Sequence, residues 1–206
     1  MPASVEVAQQ GRAESYPLHR RDVAARLNDP TLLIVTGPGA ATWDFTAAGD
    51  GPHIFPFWNA LGGAAAAGLG LALARPDRRV LVALGDGDML MGLGSFATVA
   101  VARTRNFAIA VFDNERYGET GMQATHTAHG ADIAAAARGL GVQDAATVRD
   151  VGELELAIAA LKEAEGPIVR VIKVRAEPLD FATPARDGGY LKDRFRLALM
   201  GPNGVS

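Results

Sequence analysis

Short apolar runs alternate with stretches of helical periodicity along most of this chain. Continuous apolar runs, typical of strands that are covered on both faces, occupy residues 32–35, 80–84, 107–112 and 168–174, with a briefer one at 54–57. Apolar positions at helical spacing, bounded by Gly, Pro or Asn, predict helices at residues 18–27, 60–74, 94–104, 132–140, 151–165 and 191–200. Strands that alternate with helices predict a three-layer α/β/α fold with a mainly parallel sheet.

Length and composition indicate one folded domain. The chain has 206 residues, of which 49% are hydrophobic and 21% are charged, so disorder is not expected for most of it. We divide it into a flexible N-terminal arm, residues 1–16, and a folded domain, residues 17–206, which includes a C-terminal docking helix. The net charge of −3 argues against a nucleic-acid partner held through its phosphates.

The cysteine count and the apolar stretches bear on the compartment. The sequence contains no cysteine, which excludes disulfides, thiolate zinc sites and iron–sulfur clusters held by this chain. The N-terminus lacks the apolar core of a signal peptide, and the most apolar stretch, residues 60–74, is too short to span a bilayer. We therefore expect a cytoplasmic protein with no membrane partner.

Two polar segments follow directly after two of the predicted strands. Gly85-Asp86-Gly87 and Asp113-Asn114-Glu115 are separated by one helix-length segment. Ligands bind beyond the carboxyl ends of strands in open α/β sheets, and Asp and Asn oxygens suit Mg²⁺ or Ca²⁺ with a phosphate completing the shell. The alternative is that both segments are ordinary turns, in which Asp, Asn and Gly are common. No G-x-G-x-x-G or Walker A pattern is present, so a bound phosphate would be bridged by a metal.

The spacing of these segments resembles a known cofactor motif. A GDG triplet, 25 intervening residues and then Asp113-Asn114 is similar to the thiamine diphosphate motif, in which GDG precedes an Asn pair. The segments GDGDMLMGLGSFATVA, NFAIAVFDNERYGETGMQ, GLGLALARPDRRV and KDRFRLAL resemble the β subunits of sulfopyruvate and phosphonopyruvate decarboxylases. The resemblance extends over about residues 18–200.

The resemblance implies a metal and cofactor site. Asp86, the Asn114 side chain and the main-chain carbonyl of Arg116 would bind Mg²⁺. Backbone groups of the segments after two strands would face the cofactor diphosphate, and the following Tyr-Gly pair would cover it. These cofactor-binding residues are Thr36, Gly37, Gly85, Gly87, Asp88, Met89, Asn114, Tyr117 and Gly118.

In the WNALGG segment, the resemblance places Leu61 under the thiazolium ring, where it would enforce the bent shape of the cofactor. Asn59 and Ala60 belong to the same cofactor-binding segment, with the Asn59 carbonyl and the Leu61 amide at the pyrimidine edge. Taken alone, Leu61 would be interpreted as a core leucine. His126 is a candidate proton donor together with His129, the alternative being that both are solvated loop residues. Relatives generally carry small residues at positions 115 or 116 and at Met122, so the substrate is left open.

The implied function is that of a β subunit of a thiamine diphosphate- and Mg²⁺-dependent 2-oxo acid decarboxylase, a carboxy-lyase. In this class the activating Glu lies on a separate pyrimidine-binding (PYR) domain, so we expect an α subunit that carries it and an α2β2 or higher oligomer. One alternative is the β subunit of a 2-oxoacid:ferredoxin oxidoreductase, although forms with an iron–sulfur cluster on this subunit need cysteines. The other is a non-catalytic α/β domain that binds a metal or a nucleotide.

Overall fold

Six parallel strands form the central sheet of the protein. The computed structural model describes residues 12–205. Its strands are β1 (Leu33–Thr36), β2 (Ile54–Pro56), β3 (Val80–Gly85), β4 (Phe107–Asp113), β5 (Arg116–Tyr117), β6 (Gln123–Ala124), β7 (Asp144–Val148) and β8 (Ile168–Lys173). The sheet order is β2-β1-β3-β4-β8-β7, and β5 pairs with β6 in a separate antiparallel hairpin. The predicted mainly parallel sheet is confirmed.

Helices cover both faces of this sheet. They are α1 (Arg20–Leu27), α2 (Ala40–Ala47), α3 (Ala64–Ala74), α4 (Asp86–Met91), α5 (Ser95–Ala102), α6 (Ile133–Gly139), α7 (Val151–Glu163) and α8 (Gly188–Met200). Because side chains alternate across a strand, Val80, Val82 and Leu84 of β3 pack with α3 and α5, while Leu81 and Ala83 pack with α1 and α7. The two apolar cores give the three-layer α/β/α fold.

The sequence pattern located most elements but missed several, including both strands of the β5–β6 hairpin. Helix α2 was not predicted, because its sequence AATWDFTA buries Thr42 and Asp44 beside Ala41 and Phe45 and so lacks an apolar stripe. Strand β7 is a short edge strand with three residues that are not buried. The segment after Gly85 was interpreted as a turn, but Asp86 begins the helix α4.

Helix α3 is shorter than predicted and packs very closely on the sheet. It begins at Ala64 and not at residue 60, because Gly62 has a φ of +77° and breaks the helix. A Cβ atom on Gly68 would lie 2.2 Å from Cγ2 of Val82 in β3. The small residues of this segment therefore allow close backbone approach, as the sequence indicated.

The two ends of the chain pack on the domain. Residues 1–11 of the predicted flexible arm lie outside the described residues. Residues 12–16 lie against the domain, with Arg12 and Tyr16 both bonded to Glu115. At the other end, Leu191 and Phe195 of α8 are buried, and the Phe195 ring lies 5.3 Å from that of Phe55.

Among residues 12–205, no helix is both long enough and apolar enough to cross a membrane.

Candidate cofactor and metal site

The polar residues that follow β3 and β4 meet at one edge of the sheet. These two strands are parallel neighbours, and their register pairs Gly85 with Phe112. Asp86 comes directly after β3, and Asp113 is the last residue of β4. Both carboxylates therefore lie at the carboxyl ends of adjacent strands, where open α/β sheets bind ligands.

Asp86 is held in a buried cluster of oxygen atoms. The hydroxyl of Thr125 donates to its Oδ2, and the hydroxyl of Thr127 lies 2.9 Å from the same oxygen and 2.8 Å from Oδ1 of Asp113. Burial, and after it the negative charge of Asp113, raises the pKa of Asp86 to about 7. A cation bound beside these carboxylates would lower the pKa of Asp86 again, because a positive charge favours the charged form of a carboxylate.

Asn114 lies on the loop that connects β4 to the β5–β6 hairpin. Its Oδ1 accepts the backbone N–H of Arg116 at 3.0 Å and keeps a second lone pair. Glu115, between them, has a φ of +60°, a left-handed conformation that is uncommon for a residue with a Cβ. The sharp turn at Glu115 brings Asn114 and Arg116 to the same side of the sheet edge as Asp86.

The donors at this edge fit a divalent cation. Within the described part of the chain, no group of three His, Cys, Asp or Glu side chains could hold a metal. The available donors are the Asp86 carboxylate, the Asn114 amide oxygen and main-chain carbonyls such as that of Arg116. These are hard oxygen ligands, which Mg²⁺ prefers, with waters or ligand phosphates filling the remaining positions.

Glu115 is a fully buried carboxylate that sequence reasoning noted only as a departure from relatives. Its Oε1 lies 2.7 Å from Nη2 of Arg12, 2.7 Å from the Tyr16 hydroxyl and 3.0 Å from Nζ of Lys173. Burial acts to raise the pKa of Glu115, but the bonds from Tyr16, Lys173 and Arg12 outweigh it and hold the pKa below its ordinary value.

Lys173 connects this carboxylate to the cluster around Asp86. Its Nζ lies 2.6 Å from Oδ2 of Asp113, whose other oxygen contacts Thr127. Burial acts to lower the pKa of Lys173. The interactions with Asp113 and Glu115 raise it by more, so the pKa of Lys173 lies above its ordinary value. The loop after β4 is therefore fixed by charges from β8 and from residues 12–16, segments that are distant in sequence.

A cavity of about 140 Å³ opens at this edge of the sheet, and it brings together most of the predicted site residues. The predicted residues that line it are Leu61, Gly85, Asp86, Gly87, Asp88, Asn114, Arg116, Tyr117 and Gly118. The Leu61 side chain is 59% exposed, so the interpretation as a core leucine is wrong.

The other predicted residues do not line this cavity. The Thr36 hydroxyl is paired with that of Thr42 at 2.7 Å. Gly37 lies in contact with Asp88, while Met89 is completely buried. Asn59 lines a different cavity, of about 660 Å³, with Trp43, Trp58 and Phe181.

Ala60 and His126 are also outside the cavity lining. The Ala60 carbonyl accepts the N–H of Gly63 at 2.9 Å. His126 is exposed on the loop after β6, and its Nδ1 lies 3.4 Å from the hydroxyl of Tyr117, which does line the cavity. His126 is thus one contact away from the site, and its catalytic role stays a prediction.

Sequence reasoning named Thr36 and Gly37 at the end of β1 but missed the residues that follow them. Residues 38–41, which follow β1 and begin α2, line the cavity, as does Arg20 of α1. The Gly-Pro-Gly turn directly after an apolar run was a usable signal, of the same kind as the GDG triplet. Arg20 gave no sequence signal, because only the packing of α1 brings it to the strand ends.

Comparison with known families shows to which family this domain belongs. Residues 39–172, more than half of the chain, match the family described as thiamine pyrophosphate enzyme, C-terminal TPP binding domain. The chain belongs to this family. The match includes the carboxyl ends of β3 and β4, two of the strand ends that surround the cavity.

Three curated relatives are similar to this thiamine pyrophosphate enzyme domain. Sulfopyruvate decarboxylase subunit beta of Methanocaldococcus jannaschii is 35% identical over 60% of this chain and 64% of its own length. The subunit of the same name from Methanothermobacter thermautotrophicus is 31% identical over 82% of this chain and 88% of its own. Phosphonopyruvate decarboxylase of Streptomyces viridochromogenes is 30% identical over 96% of this chain, which spans only 50% of that longer protein.

The fold of the domain also occurs among solved structures. A putative thiamin diphosphate-dependent enzyme from Mycobacterium smegmatis superposes with a TM-score of 0.66 at 23% identity, over 78% of this chain and 32% of that one. This likeness confirms the three-layer architecture predicted from the alternation of strands and helices.

Proposed function

We propose that this chain is the β-type subunit of a thiamine diphosphate- and Mg²⁺-dependent decarboxylase of 2-oxo acids. The observation that carries the proposal is the convergence of Asp86, Asn114 and Leu61 on one cavity in a member of a thiamine pyrophosphate enzyme family. The decarboxylase names of the three relatives favour this reaction over that of an oxidoreductase subunit.

In this proposal, Asp86, the Asn114 side chain and the Arg116 carbonyl would hold Mg²⁺, which would supply positive charge for the cofactor diphosphate. Gly85, Gly87 and Asp88 would present backbone groups beside it, and Tyr117 and Gly118 line the same cavity. When bound, the cofactor supplies the carbon nucleophile that adds to the 2-oxo group and takes up the electrons released with CO₂. The residues of this chain would anchor the cofactor, orient it and shield it from water.

Leu61 and Met91 support a function for the apolar wall of the cavity. Both line it, and their side chains are 59% and 54% exposed, although large apolar residues are usually covered. Leu61 is therefore free to contact a cofactor ring. An apolar surrounding also favours loss of the charged carboxylate of a 2-oxo acid, since this charge is poorly solvated there.

A second polypeptide would complete the site. The cavity of about 140 Å³ is smaller than the roughly 300–1,000 Å³ of a complete small-molecule site, and exposed apolar side chains border it. We infer that an α subunit with a PYR domain covers this edge and supplies the activating Glu. The words "subunit beta" in the names of two relatives support such a partner.

The metal assignment is tested by titrating the full-length chain with thiamine diphosphate in a calorimeter, with and without MgCl₂. The parent should bind the cofactor only with Mg²⁺, and Asp86→Ala should weaken this binding at least 100-fold because the only carboxylate ligand is lost. Asp77→Ala, which removes an exposed carboxylate paired with Arg75, is the control and should bind like the parent. Normal Mg²⁺-dependent binding by Asp86→Ala would show that the assignment is wrong.

A further inference from the structure

Glu115 separates two of the proposed metal donors, the Asn114 side chain and the Arg116 carbonyl. Together they form the donor loop, residues 114–116. The φ of Glu115 is +60°, and a left-handed conformation of a residue with a Cβ atom persists only where surrounding contacts fix it. The Glu115 side chain lines a second cavity, of about 360 Å³, and not the cavity of the candidate site. Because rotation about the Glu115 backbone would displace the Arg116 carbonyl, the contacts that hold Glu115 also set the spacing of the metal donors.

The carboxylate of Glu115 is held by two residues from the N-terminal end of the described chain. Nη2 of Arg12 lies 2.7 Å from Oε1 of Glu115, and Nε of Arg12 lies 3.3 Å from Oε2. The Tyr16 hydroxyl donates to Oε1 at 2.7 Å. In the same segment, Oε1 of Glu14 lies 3.5 Å from Nη2 of Arg116, whose side chain is buried. Three side chains of one short segment therefore contact two consecutive residues of the donor loop.

Arg12 and Lys173 are the cations that compensate two buried carboxylates, Asp113 and Glu115. Nζ of Lys173 lies 2.6 Å from Asp113 and 3.0 Å from Glu115. Without Arg12, one ammonium group would serve both acids in the interior, where an uncompensated charge is strongly unfavourable. Glu115 is completely buried, so water does not replace Arg12, whose own side chain is 48% exposed. Loss of Arg12 therefore favours a rearrangement of the donor loop.

The segment that carries these side chains, residues 12–16, is itself attached to the chain beyond β8. The Ala13 carbonyl accepts the N–H of Ala176 at 2.9 Å, and the Tyr16 carbonyl accepts from Nε of Arg175 at 2.9 Å. In this position the segment connects the residues after β8 to the loop after β4. The donor loop thus has a support that is separate from its own hydrogen bonds.

We propose that Arg12 and Tyr16 are positioning residues for the metal site: they hold Glu115, and through it the donor loop, in the geometry that binds Mg²⁺. The inference rests on the proposed function, because that proposal makes Asn114 and Arg116 metal donors. Mg²⁺ demands near-ideal octahedral coordination, whereas Ca²⁺ accepts irregular geometry. A donor loop without this support should therefore lose affinity for Mg²⁺ more than for Ca²⁺, a change of selectivity that a general loss of stability would not produce.

The first test titrates MgCl₂, and separately CaCl₂, into the full-length chain mixed with excess thiamine diphosphate in a calorimeter. The same titrations into the cofactor alone are subtracted. Tyr16→Phe removes one hydrogen bond to Glu115 without changing any charge. It should weaken Mg²⁺ binding at least about threefold and leave Ca²⁺ binding nearly unchanged.

For Arg12→Met, charge and positioning predict effects of opposite sign. Charge alone would tighten Mg²⁺ binding, since a nearby positive group is removed. Loss of positioning should instead weaken it at least about tenfold, because the two-pronged contact with Glu115 is lost. Arg12→Lys, which keeps the charge, should recover part of the affinity. Undiminished Mg²⁺ binding by Tyr16→Phe, tighter binding by Arg12→Met, or equal losses of Mg²⁺ and Ca²⁺ affinity would overturn the proposal.

The matched controls lie on α8. Tyr190→Phe and Arg194→Met remove the same chemical groups, and Arg194 is likewise paired with a carboxylate, that of Asp50, at 2.6 Å. Neither residue lines the cavity of the candidate site, so both controls should bind Mg²⁺ like the parent. A parent that binds no Mg²⁺ would refute the proposed function together with this inference. A parent whose Mg²⁺ binding does not depend on Arg12 or Tyr16 would refute the inference alone.

The second test needs no substitution in residues 12–16. Coupling between two sites is reciprocal, so bound Mg²⁺ must strengthen the docking of this segment. Amide hydrogen exchange of the segment, followed by mass spectrometry, should slow at least about threefold when MgCl₂ and thiamine diphosphate are added together. Asp86→Ala, which lacks the carboxylate donor, should show no such slowing. Exchange in residues 12–16 that is the same with and without Mg²⁺ and cofactor would overturn the proposal.

Discussion

A Cβ atom on Gly87 would lie 2.4 Å from the ring of Tyr117, and one on Gly37 would lie 2.2 Å from Oδ2 of Asp88. Neither glycine has the positive φ that would require glycine for backbone reasons. At these two glycines, the site therefore depends on close approach between segments. Asp88, whose Oδ1 accepts the N–H of Gly62, ties the ends of β1 and β3 to the WNALGG segment.

Leu61 gives the clearest single-residue prediction. Leu61→Ala should change the free energy of unfolding by less than about 0.5 kcal/mol, because the side chain is exposed. The variant should bind thiamine diphosphate through its diphosphate but slow the exchange of the cofactor's reactive C–H proton, measured by NMR in deuterated water in the assembled enzyme. Leu61→Met should preserve the exchange rate.

Leu73→Ala is the matched control for Leu61. Leu73 is an exposed leucine of α3, 57% accessible, that does not line the cavity. It should leave both stability and proton exchange unchanged. Equal exchange rates in Leu61→Ala and Leu73→Ala would remove the role assigned to Leu61.

Asp44 predicts a pH dependence of stability. Burial raises its pKa to about 6, against the opposing charges of Arg20 and Arg21. Between pH 4 and pH 6 the folded chain holds a proton that the unfolded chain has lost, so the parent loses stability as pH rises, by up to about 3 kcal/mol. Asp44→Asn lacks this titration, so its stability relative to the parent should increase over the same range in urea unfolding. A difference that is constant from pH 4 to pH 7 would contradict the assignment.

At the scale of elements, α3 packs very closely on β3, one of the strands that end at the site. Gly68→Ala should lower the free energy of unfolding by about 1–3 kcal/mol, because its Cβ would overlap Val82. Gly70 lies in the same helix, but a Cβ there meets nothing within 4 Å. Gly70→Ala should raise stability by about 0.5–1 kcal/mol through helix propensity alone. The measurement is denaturant unfolding of both variants. Changes of the same sign in their free energies of unfolding would contradict this packing.

The structure also changes what is expected of α8. The sequence predicted a C-terminal docking helix without specifying its partner, and Leu191 and Phe195 of this helix are buried within this chain. Arg194 adds an ion pair to Asp50 at 2.6 Å. The docking predicted for this helix is thus satisfied by the domain itself. The exposed side chains that border the candidate site, Leu61 and Met91, are the better candidates for a partner contact.

At the scale of the whole molecule, the proposed function predicts that the lone chain has negligible decarboxylase activity. In the proposal, this chain supplies the diphosphate end of the site and the partner supplies the PYR domain. A second polypeptide that supplies this domain should restore activity, in an assembly with at least two copies of each chain. Turnover of a 2-oxo acid by the purified chain at roughly 1 s⁻¹ or more would contradict the need for a partner. Substrate consumption by each chain alone, and by the mixture, is the measurement.

The sequence alone determined the layers of the fold and the two polar strand ends. Continuous apolar runs specify buried parallel strands because both of their faces must be covered, and the GDG and Asp-Asn segments directly follow two of these runs. Parallel neighbours place their carboxyl ends at one edge, so the meeting of Asp86 with Asn114 follows from chain order and strand direction. The family motif added Leu61 and Tyr117, which line the same cavity.

Only the tertiary structure decided which distant residues complete that edge. Arg20, Lys173 and residues 12–16 reach it through the packing of α1, β8 and the chain end, and no local pattern encodes this proximity. Helix α2 was not predicted because it buries Thr42, which bonds to the Gly37 carbonyl, and Asp44, which pairs with Arg20 and Arg21. These polar residues interrupt the apolar stripe that sequence reasoning needs. Local periodicity indicates which residues are buried. Charge pairing at the sheet edge depends instead on which segments, distant in sequence, the fold brings to that edge.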